Sequence, residues 1–311
     1  MQNFVDFQNF YKSELKEFLQ PLEDYRIKRI RIFKRIQYVA ILSVIMLGVS
    51  LKWGNVLTCV LSGFFIIAME GFAFESLGKT NEALTHAYKN RIIPKFLGFI
   101  TPENSYIPNQ KISKSIFEKS LLFPHEINEV HGEDYMRFKF GDIDIMFCES
   151  EVTGYGPSVP MFKGIFMSAT FNKSISSKTF IFPKKGTSFF RKLRFKLFGS
   201  SYHIQLEDPY FEKEFIVLGD NQVESRYILT TSLMQRILDY KRKLNAELAF
   251  SFISNKVYCT IPSTKNLFET ALFDSFMDYR FISQSYEPIM LYAGIVEDLN
   301  LNLRIWSAHK E

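Results

Sequence analysis

Two apolar runs lie close together near the N-terminus of this 311-residue chain, separated by a short polar connection. Residues 38–51 read YVAILSVIMLGVSL, and residues 56–74 read VLTCVLSGFFIIAMEGFAF with one acid, Glu70. A helix needs about 20 apolar residues to cross a hydrocarbon core about 30 Å thick. The second run is long enough, and the first becomes so when its flanking residues are included. A buried hairpin in a soluble core is the alternative, but core helices rarely run so long without polar residues.

Basic residues flank the hairpin on one side. Those before the first run are Arg26, Lys28, Arg29, Arg31, Lys34 and Arg35, and those after the second are Lys79, Lys89, Arg91 and Lys95. The connection between the runs offers only Lys52. Because positive flanks stay in the cytoplasm, we expect two spans with both termini cytoplasmic. The formal charge of +5 therefore reflects topology, and we expect no nucleic-acid partner.

Polar and small residues within the second run allow more than one interpretation. Glu70 could mark an ion path, but it lies about four turns into the helix, which favours an interfacial carboxylate. Gly54, Thr58 and Ser62 recur at four-residue spacing. Small residues on one face let two helices approach closely, so this face is predicted to contact the first span.

Apolar side chains recur at three- and four-residue steps before the hairpin, which predicts a helix with one apolar face. They are Phe4, Phe7, Phe10, Tyr11, Leu15, Phe18, Leu19 and Leu22. This face could lie on the membrane surface or pack on the stalk after the second span, and the sequence leaves both open. The segment lacks the features of a cleavable secretory signal. The three scattered cysteines fit a reducing compartment.

The pattern becomes mixed after the hairpin. A helical stalk is expected from residue 75, followed by a polar, proline-bearing linker at residues 101–110. Strands are predicted at residues 135–140, 143–147, 162–171, 179–182, 203–207, 215–218, 247–253 and 256–261. Helices are predicted at residues 111–121, 223–244 and 285–299. Without regular βαβ alternation, these elements predict an α+β domain with a mainly antiparallel sheet.

The predicted organisation is an N-terminal two-helix transmembrane hairpin followed by a cytoplasmic α+β domain. An amphipathic and basic segment covers residues 1–35, and the hairpin covers residues 36–74. The stalk and linker cover residues 75–110, and the domain covers residues 111–311.

Four stretches of the soluble part carry a family resemblance. They are GEDYMRFKFGDIDIMFCESEV at residues 132–152, FKGIFMSATFNKSISSKTFIFP at 162–183, LEDPYFEKEFIVLGDNQVESRYILTTSLMQRILDY at 206–240 and AGIVEDLNLNLRIW at 293–306. Together they resemble the bacterial membrane proteins grouped as domain of unknown function 3137, some of them labelled "galanin". The resemblance implies an anchored protein of the bacterial inner membrane without an established activity. It also suggests a LemA-type membrane protein as a partner.

Polar residues at the family's motif positions allow two interpretations. They are Glu133, Asp134, Glu207, Asp208, Asp220, Glu224 and Arg226. A functional interpretation gathers them into one polar pocket. A structural interpretation, which we favour, gives them helix caps and turns, since such residue types commonly bond local backbone. Asn221 and Glu224, for example, suit a capping box at the start of a helix.

Catalytic signatures are missing from the sequence. His125, Glu126, His131, Glu133 and Asp134 cluster, but their spacing matches no known metal site. Acidic neighbours disfavour Cys148 as a nucleophile. No G-x-S-x-G, phosphate-binding loop or H-E-x-x-H pattern occurs. We therefore expect a membrane-tethered interaction or scaffold protein without catalytic residues, cofactor or metal. The alternative is a membrane-anchored hydrolase or metal-dependent enzyme using His131, Glu133, Asp134 or Glu207.

A basic and apolar segment at residues 184–198 reads KKGTSFFRKLRFKLF. Its cations are Lys184, Lys185, Arg191, Lys192, Arg194 and Lys196. Interleaved basic and apolar side chains suit an anionic membrane surface. An ordinary loop, whose apolar side chains pack on the sheet while its cations face water, explains the pattern equally well.

Overall fold

The computed structural model describes residues 4–54, 56–140, 143–155, 160–170, 175–185, 192–193, 202–264, 266, 268–270, 272–287, 289–290 and 294. The chain forms two compact units. The helical unit comprises Gln2–Lys95 and Phe268–Ser283, and the sheet unit comprises Phe96–Leu267 with the residues from Gln284 onward.

Two long helical segments dominate the N-terminal part. The first contains α1 (Phe4–Phe10), a π-helical turn (Tyr11–Leu15) and α2 (Lys16–Lys52). The second contains α3 (Val56–Ala87), a π-helical turn (Tyr88–Ile92) and α4 (Ile93–Ile100). Gly54, in the turn that ends the first segment, has φ +71°, a conformation that glycine adopts without steric cost. Both segments are long and apolar enough to cross a membrane.

Helices α2 and α3 meet along small side chains. Ala40 and Ser43 of α2 and Ala73 of α3 are buried, whereas most of the apolar stretch is exposed or half-buried. This contact face overlaps the predicted one only in part, because Ser62 is half-buried but Thr58 is exposed and Gly54 lies in the turn. The spacing alone identified small residues, but the rotation of α3 about its axis depends on how both helices pack.

The apolar face of the N-terminal segment packs inside the helical unit. Phe7, Tyr11, Leu15, Leu19 and Leu22 are all buried. The Tyr11 hydroxyl donates to the carbonyl oxygen of Met277 at 2.8 Å, and Lys95 Nζ lies 3.7 Å from the centroid of the Phe18 ring. Of the two arrangements that the sequence left open, the structure has the one in which this face contacts protein.

Phe268–Ser283, hereafter the returning segment, is held to the helices by a buried polar network. Arg26 Nη2 lies 2.6 Å from Glu23 Oε1, and both side chains are less than a tenth exposed. Glu23 also accepts hydrogen bonds from Ser275 Oγ at 2.9 Å and from the Phe276 amide at 3.0 Å. Arg26 donates to the carbonyl oxygen of Leu272 at 3.2 Å. These additional bonds compensate the charges for their loss of water.

The sheet unit contains a nine-stranded sheet in which all pairings between the described strands are antiparallel. The strands are β1 (Asn104–Ile107), β2 (Ile127–Phe140), β3 (Ile143–Gly154), β4 (Phe162–Thr170), β5 (Lys178–Pro183), β6 (Tyr202–His203), β7 (Phe215–Gly219), β8 (Ala249–Ile253) and β9 (Lys256–Pro262). Their order is β1-β2-β3-β4-β9-β8-β5-β7-β6. The predicted α+β class with two long apolar helices and an antiparallel sheet is confirmed.

Four helices accompany the strands in the described part of this unit. They are α5 (Lys114–Ser120), α6 (Pro209–Glu214), α7 (Gln222–Ile228) and α8 (Thr231–Leu244). Helix α5 covers an aromatic core, in which the rings of Phe117 and Phe166 stack with centroids 4.0 Å apart. Residues 279–287 are also helical, and the end of the predicted helix at 285–299 lies mostly outside the described residues.

Several elements differ from their prediction, among them β2 and β3, which are longer than the predicted strands. Strand β1 lies within the segment expected to be a linker, because four residues are too few to show a recognisable alternation. Strand β6 has only two residues where a longer strand was predicted. The single helix predicted at residues 223–244 is two helices, because Thr230 leaves the helical conformation and its side chain accepts the Leu233 amide to start α8.

Candidate functional site

An irregularity in strand β2 places three carboxylates together. The pairing of β2 with β3 shifts register between Glu133 and Met136, and Asp134 has φ +57°. Such bulges re-aim side chains. Glu133 lies directly opposite Glu149 on β3. Two like charges at paired positions repel each other, so this arrangement needs a compensating interaction.

One carboxylate oxygen from each of Glu133, Asp134 and Glu149 lies within 4.8 Å of the others. Asp134 is fully buried and Glu149 is 8% exposed. The Tyr106 hydroxyl, from β1, donates a hydrogen bond to Asp134 Oδ1. Burial, together with these carboxylates, raises the pKa of Tyr106, so the phenol keeps its proton and remains a donor. Three oxygens at such distances are the ligand type that Ca²⁺ and Mg²⁺ prefer.

A surface pocket of about 250 Å³ adjoins these carboxylates. Its lining includes His131, Glu133, Glu149, Glu151, Lys163 and Gly164. Gly164 has φ +149°, and a Cβ at this position would lie 2.1 Å from the carbonyl oxygen of Ile261. Glycine is therefore required where β4 passes β9 beside the pocket. Lys163 Nζ lies 3.8 Å from Glu151 Oε2, which brings one cation to an otherwise acidic wall.

The histidine and carboxylate cluster of the sequence is divided between two places. His131, Glu133 and Asp134 lie at the acidic site, whereas His125 and Glu126 line a different pocket beside Phe117 and Phe123. Glu149 was missed as a candidate ligand. The two strands predicted at residues 135–140 and 143–147 carried part of the signal, because continuing their antiparallel pairing brings Glu149 close to Glu133.

The other polar motif residues bond the backbone of neighbouring segments. Asp208 accepts the amides of Tyr210 and Phe211 at 2.9 and 3.0 Å, which starts α6. Asp220 accepts the Lys178 amide at 2.7 Å. Glu224 accepts the Ser177 amide at 2.7 Å, and Arg226 Nε donates to the Gln205 carbonyl oxygen at 2.9 Å. Glu207 is exposed. None of these five described residues lines the pocket beside Glu133.

The basic segment is only partly described. Lys184 Nζ donates to the carbonyl oxygen of Glu212 at 3.1 Å, while Lys185 and Lys192 are exposed and Leu193 is buried. Arg191, Arg194 and Lys196 lie outside the described residues. Contact of this segment with anionic lipid stays a prediction.

The cysteines of the sheet are poorly suited to nucleophilic chemistry. Burial raises the pKa of the Cys148 thiol to about 11. Burial also raises the pKa of Cys259 well above its ordinary value. The thiolate is the reactive form, so both thiols are inert near neutral pH.

One family model without an assigned function matches part of the chain. Residues 160–301 match the family model described as "Protein of unknown function (DUF3137)", which confirms the resemblance seen in the sequence. The match begins after β3, so the acidic cluster precedes it and the returning segment lies within it.

Other comparisons are weaker. No curated protein matches this chain. Among solved structures, the crystal structure of the mycobacterial trehalose monomycolate transport factor A, TtfA, aligns with a TM-score of 0.34 and 7% sequence identity. The alignment covers 62% of this chain and 86% of that chain. Similarity at this level carries no argument about fold or function.

Proposed function

We propose that this chain is a membrane-tethered interaction protein, in which α2 and α3 cross the bacterial inner membrane and the sheet unit works in the cytoplasm. The exposed apolar surface of the two helices carries this proposal. Met46, Phe64 and Ile67 are 66%, 75% and 74% exposed. Only 11% and 6% of the most apolar stretch of each helical segment is buried. Soluble proteins rarely expose such a surface, whereas lipid covers it without cost.

The ends of the hairpin support the same placement. Trp53 is 81% exposed at the turn, where an aromatic side chain suits a membrane interface. At the opposite end, Gln37 Nε2 donates to Glu70 Oε2 at 3.2 Å. The Glu70 carboxylate therefore has a hydrogen-bond partner close to Lys34 and Arg35, the basic residues that precede the first apolar run. The basic flanks orient both termini towards the cytoplasm. We therefore propose that residues 36–74 form the transmembrane hairpin and that residues 111–311 form the cytoplasmic domain.

Extraction of bacterial membranes with alkaline carbonate tests the anchor. We expect the natural chain to remain in the membrane pellet. The double variant Ile45→Arg/Phe64→Arg should be released, because each cation at a helix centre costs about 3 kcal/mol. Val223→Arg is the matched control, since Val223 is 78% exposed on α7 and outside the hairpin. Release of the natural chain would overturn the proposal.

Reporter fusions test the topology separately. Fusions after Gln20 and after Glu311 should both report from the cytoplasm. An extracytoplasmic signal from either position contradicts the proposed orientation, even if the chain remains in the membrane.

The hydrogen bonds of the polar motif residues support an interaction role. Asp208, Asp220 and Glu224 hold loops and helix ends of the sheet unit, so they stabilise a surface and do not line the acidic pocket. The partner suggested by the family resemblance is a LemA-type membrane protein. Co-purification from native membranes, with the carbonate-released variant as control, tests that partner. Equal recovery with both chains would argue against it.

A metal-dependent membrane-anchored enzyme is the second candidate, favoured by the convergence of Glu133, Asp134 and Glu149. The test is the shift of the thermal unfolding midpoint when Mg²⁺, Ca²⁺ or Mn²⁺ is added to the purified full chain. A bound ion raises the midpoint by mass action. Glu149→Gln should abolish the shift, and Glu129→Gln, which changes an exposed carboxylate, should keep it. If no divalent ion shifts the midpoint of the natural chain, this candidate should be abandoned.

A further inference from the structure

Four basic residues of α2, hereafter the basic collar, precede the apolar stretch. They are Lys28, Arg31, Lys34 and Arg35, and all four are exposed. With about 100° of rotation per residue, Lys28, Arg31 and Arg35 lie within about 60° of one another on the helix. Arg26 and Ala40, on the other side of α2, are buried in the helical unit. Lys28, Arg31 and Arg35 therefore lie on the face of α2 opposite Arg26 and Ala40, and Lys34 is exposed at its edge.

The described carboxylates do not neutralise the collar. Among the residues that the structure describes, no carboxylate forms an ion pair or hydrogen bond with these four side chains. Acids at similar levels have other partners. Glu75 Oε1 lies 2.6 Å from Lys79 Nζ, and Asp24 accepts a bond from Gln20. Within the described part of the chain, these four positive charges have no acidic partner, so they are available to an external one.

The distance of the collar from the apolar stretch identifies that partner. Tyr38, 67% exposed, begins the first apolar run. At about 1.5 Å per residue, Lys34 and Arg35 lie about 5 Å from Tyr38 along the axis, Arg31 about 10 Å and Lys28 about 15 Å. The polar layer of one leaflet is about 5–7 Å thick. Lys34 and Arg35 lie within this layer, and the flexible side chain of Arg31 reaches it.

We propose that the basic collar binds the headgroups of anionic phospholipids in the cytoplasmic leaflet and thereby sets the depth of the hairpin. This inference deepens the proposed function, because it requires α2 to cross the membrane. Phosphate oxygens match the planar donor array of arginine, which Arg31 and Arg35 supply. The anionic leaflet attracts cations just outside a transmembrane helix, which completes the charge match.

The test measures lipid binding to the purified full chain in neutral detergent. Native mass spectrometry compares phosphatidylglycerol with phosphatidylcholine of the same acyl chains. The natural chain should prefer phosphatidylglycerol, and salt should weaken this preference because exposed charges are screened within about 10 Å at 0.1 M. Arg31→Gln/Lys34→Gln/Arg35→Gln should weaken phosphatidylglycerol binding at least about tenfold, since each cation near the surface contributes about fivefold.

Matched variants distinguish an effect of the collar cations from an effect of the total charge of the chain. Lys12→Gln/Lys16→Gln/Lys119→Gln removes three other exposed cations and should leave the preference unchanged. Arg31→Lys/Lys34→Arg/Arg35→Lys keeps the charge and should also retain it. The single variants Arg31→Gln and Arg35→Gln should each lose part of the preference, which keeps the test valid if the triple variant does not fold.

Several results would overturn the inference. One is that the preference for phosphatidylglycerol survives in the glutamine triple variant, and another is that the Lys12/Lys16/Lys119 variant loses this preference equally. Alternatively, glycerol phosphate at the same concentration displaces the lipid, which would make the collar a site for soluble phosphate. Release of the natural chain by carbonate would instead refute the membrane anchor itself. A chain that stays in the membrane pellet but shows no lipid preference refutes only the collar.

Discussion

At the scale of single residues, Glu23 bonds residues distant in sequence, which no sequence pattern indicated. Burial by itself raises its pKa, but bonds from Arg26, Ser275 and the Phe276 amide outweigh burial, so the pKa lies below its ordinary value. In the unfolded chain a glutamate titrates near pH 4.3, at about its reference value. The stabilisation from Glu23 is therefore complete above that pH and is lost as the pH falls through the lower folded-state pKa.

Glu23→Gln should destabilise the helical unit by about 3 kcal/mol, because it leaves the Arg26 guanidinium buried without its counter-charge. Thermal unfolding of the purified full chain at pH 7 measures the loss, and the acid dependence between about pH 5 and 3 should flatten. Asp24→Asn, which alters the exposed neighbour, is the control. An unchanged unfolding midpoint for Glu23→Gln would mean that the network is not formed in solution.

Gly164 is the second residue whose role depends on close packing. Gly164→Ala should cost about 2 kcal/mol or more, because its Cβ would collide with the carbonyl oxygen of Ile261 and its φ is +149°. Gly78→Ala, where nothing lies within 4 Å, should be neutral or slightly stabilising in its helix. Chemical denaturation of the two variants decides the matter. Equal effects would contradict the close approach of β4 and β9.

At the scale of elements, the break between α7 and α8 shows how one polar side chain decides a boundary. The apolar period runs through residues 223–244, which is why one helix was predicted. Thr230 instead has φ −62° and ψ 156°, and its side chain accepts the Leu233 amide at 3.3 Å. A threonine at this position competes successfully with continued helix because it satisfies a free amide of the next helix.

Thr230→Ala should therefore destabilise the sheet unit by about 1 kcal/mol, the usual cost of removing an N-cap. Thr231→Ala is a matched control, because Thr231 is exposed and already helical. Hydrogen exchange of the α8 amides provides the measurement, since the first turn should lose protection in the Thr230 variant. If both variants exchange alike, Thr230 does not cap α8.

At the scale of the whole molecule, the returning segment gives the helices a structural role in addition to the proposed role as an anchor. Phe276 and Ile282 are fully buried in the helical unit. The ring of Tyr88 lies with its centroid 5.9 Å from that of Phe276. Thr85 and Thr270 join their hydroxyls at 2.7 Å. Residues near the two ends of the chain thus share one core.

A chain that begins at residue 96 should consequently expose the returning segment. Limited proteolysis followed by mass spectrometry should find cleavage within residues 268–283 of the truncated chain and none there in the full chain. Protection of β8 and β9 in both chains serves as the control for folding of the sheet. If the segment is protected in the truncated chain too, its packing on the helices contributes nothing measurable.

Local patterns in the sequence determined the element types and the class of fold. The two apolar runs predicted two long helices, because about 20 consecutive apolar residues suit no other common element. Strand patterns at residues 135–140, 143–147, 247–253 and 256–261 predicted parts of β2, β3, β8 and β9, which pair as neighbours in the sheet. These signals depend on residues a few positions apart, so a single sequence carries them.

Only the tertiary structure decided which distant residues meet. Glu149 joins Glu133 and Asp134 through the shifted register of two strands, and a shift of one residue would turn its side chain to the other face. Glu23 meets Ser275 across 252 positions of sequence. The contact of Glu23 with Ser275 leaves no periodic trace, because the free energy of such a contact comes from packing among many residues and not from sequence neighbours.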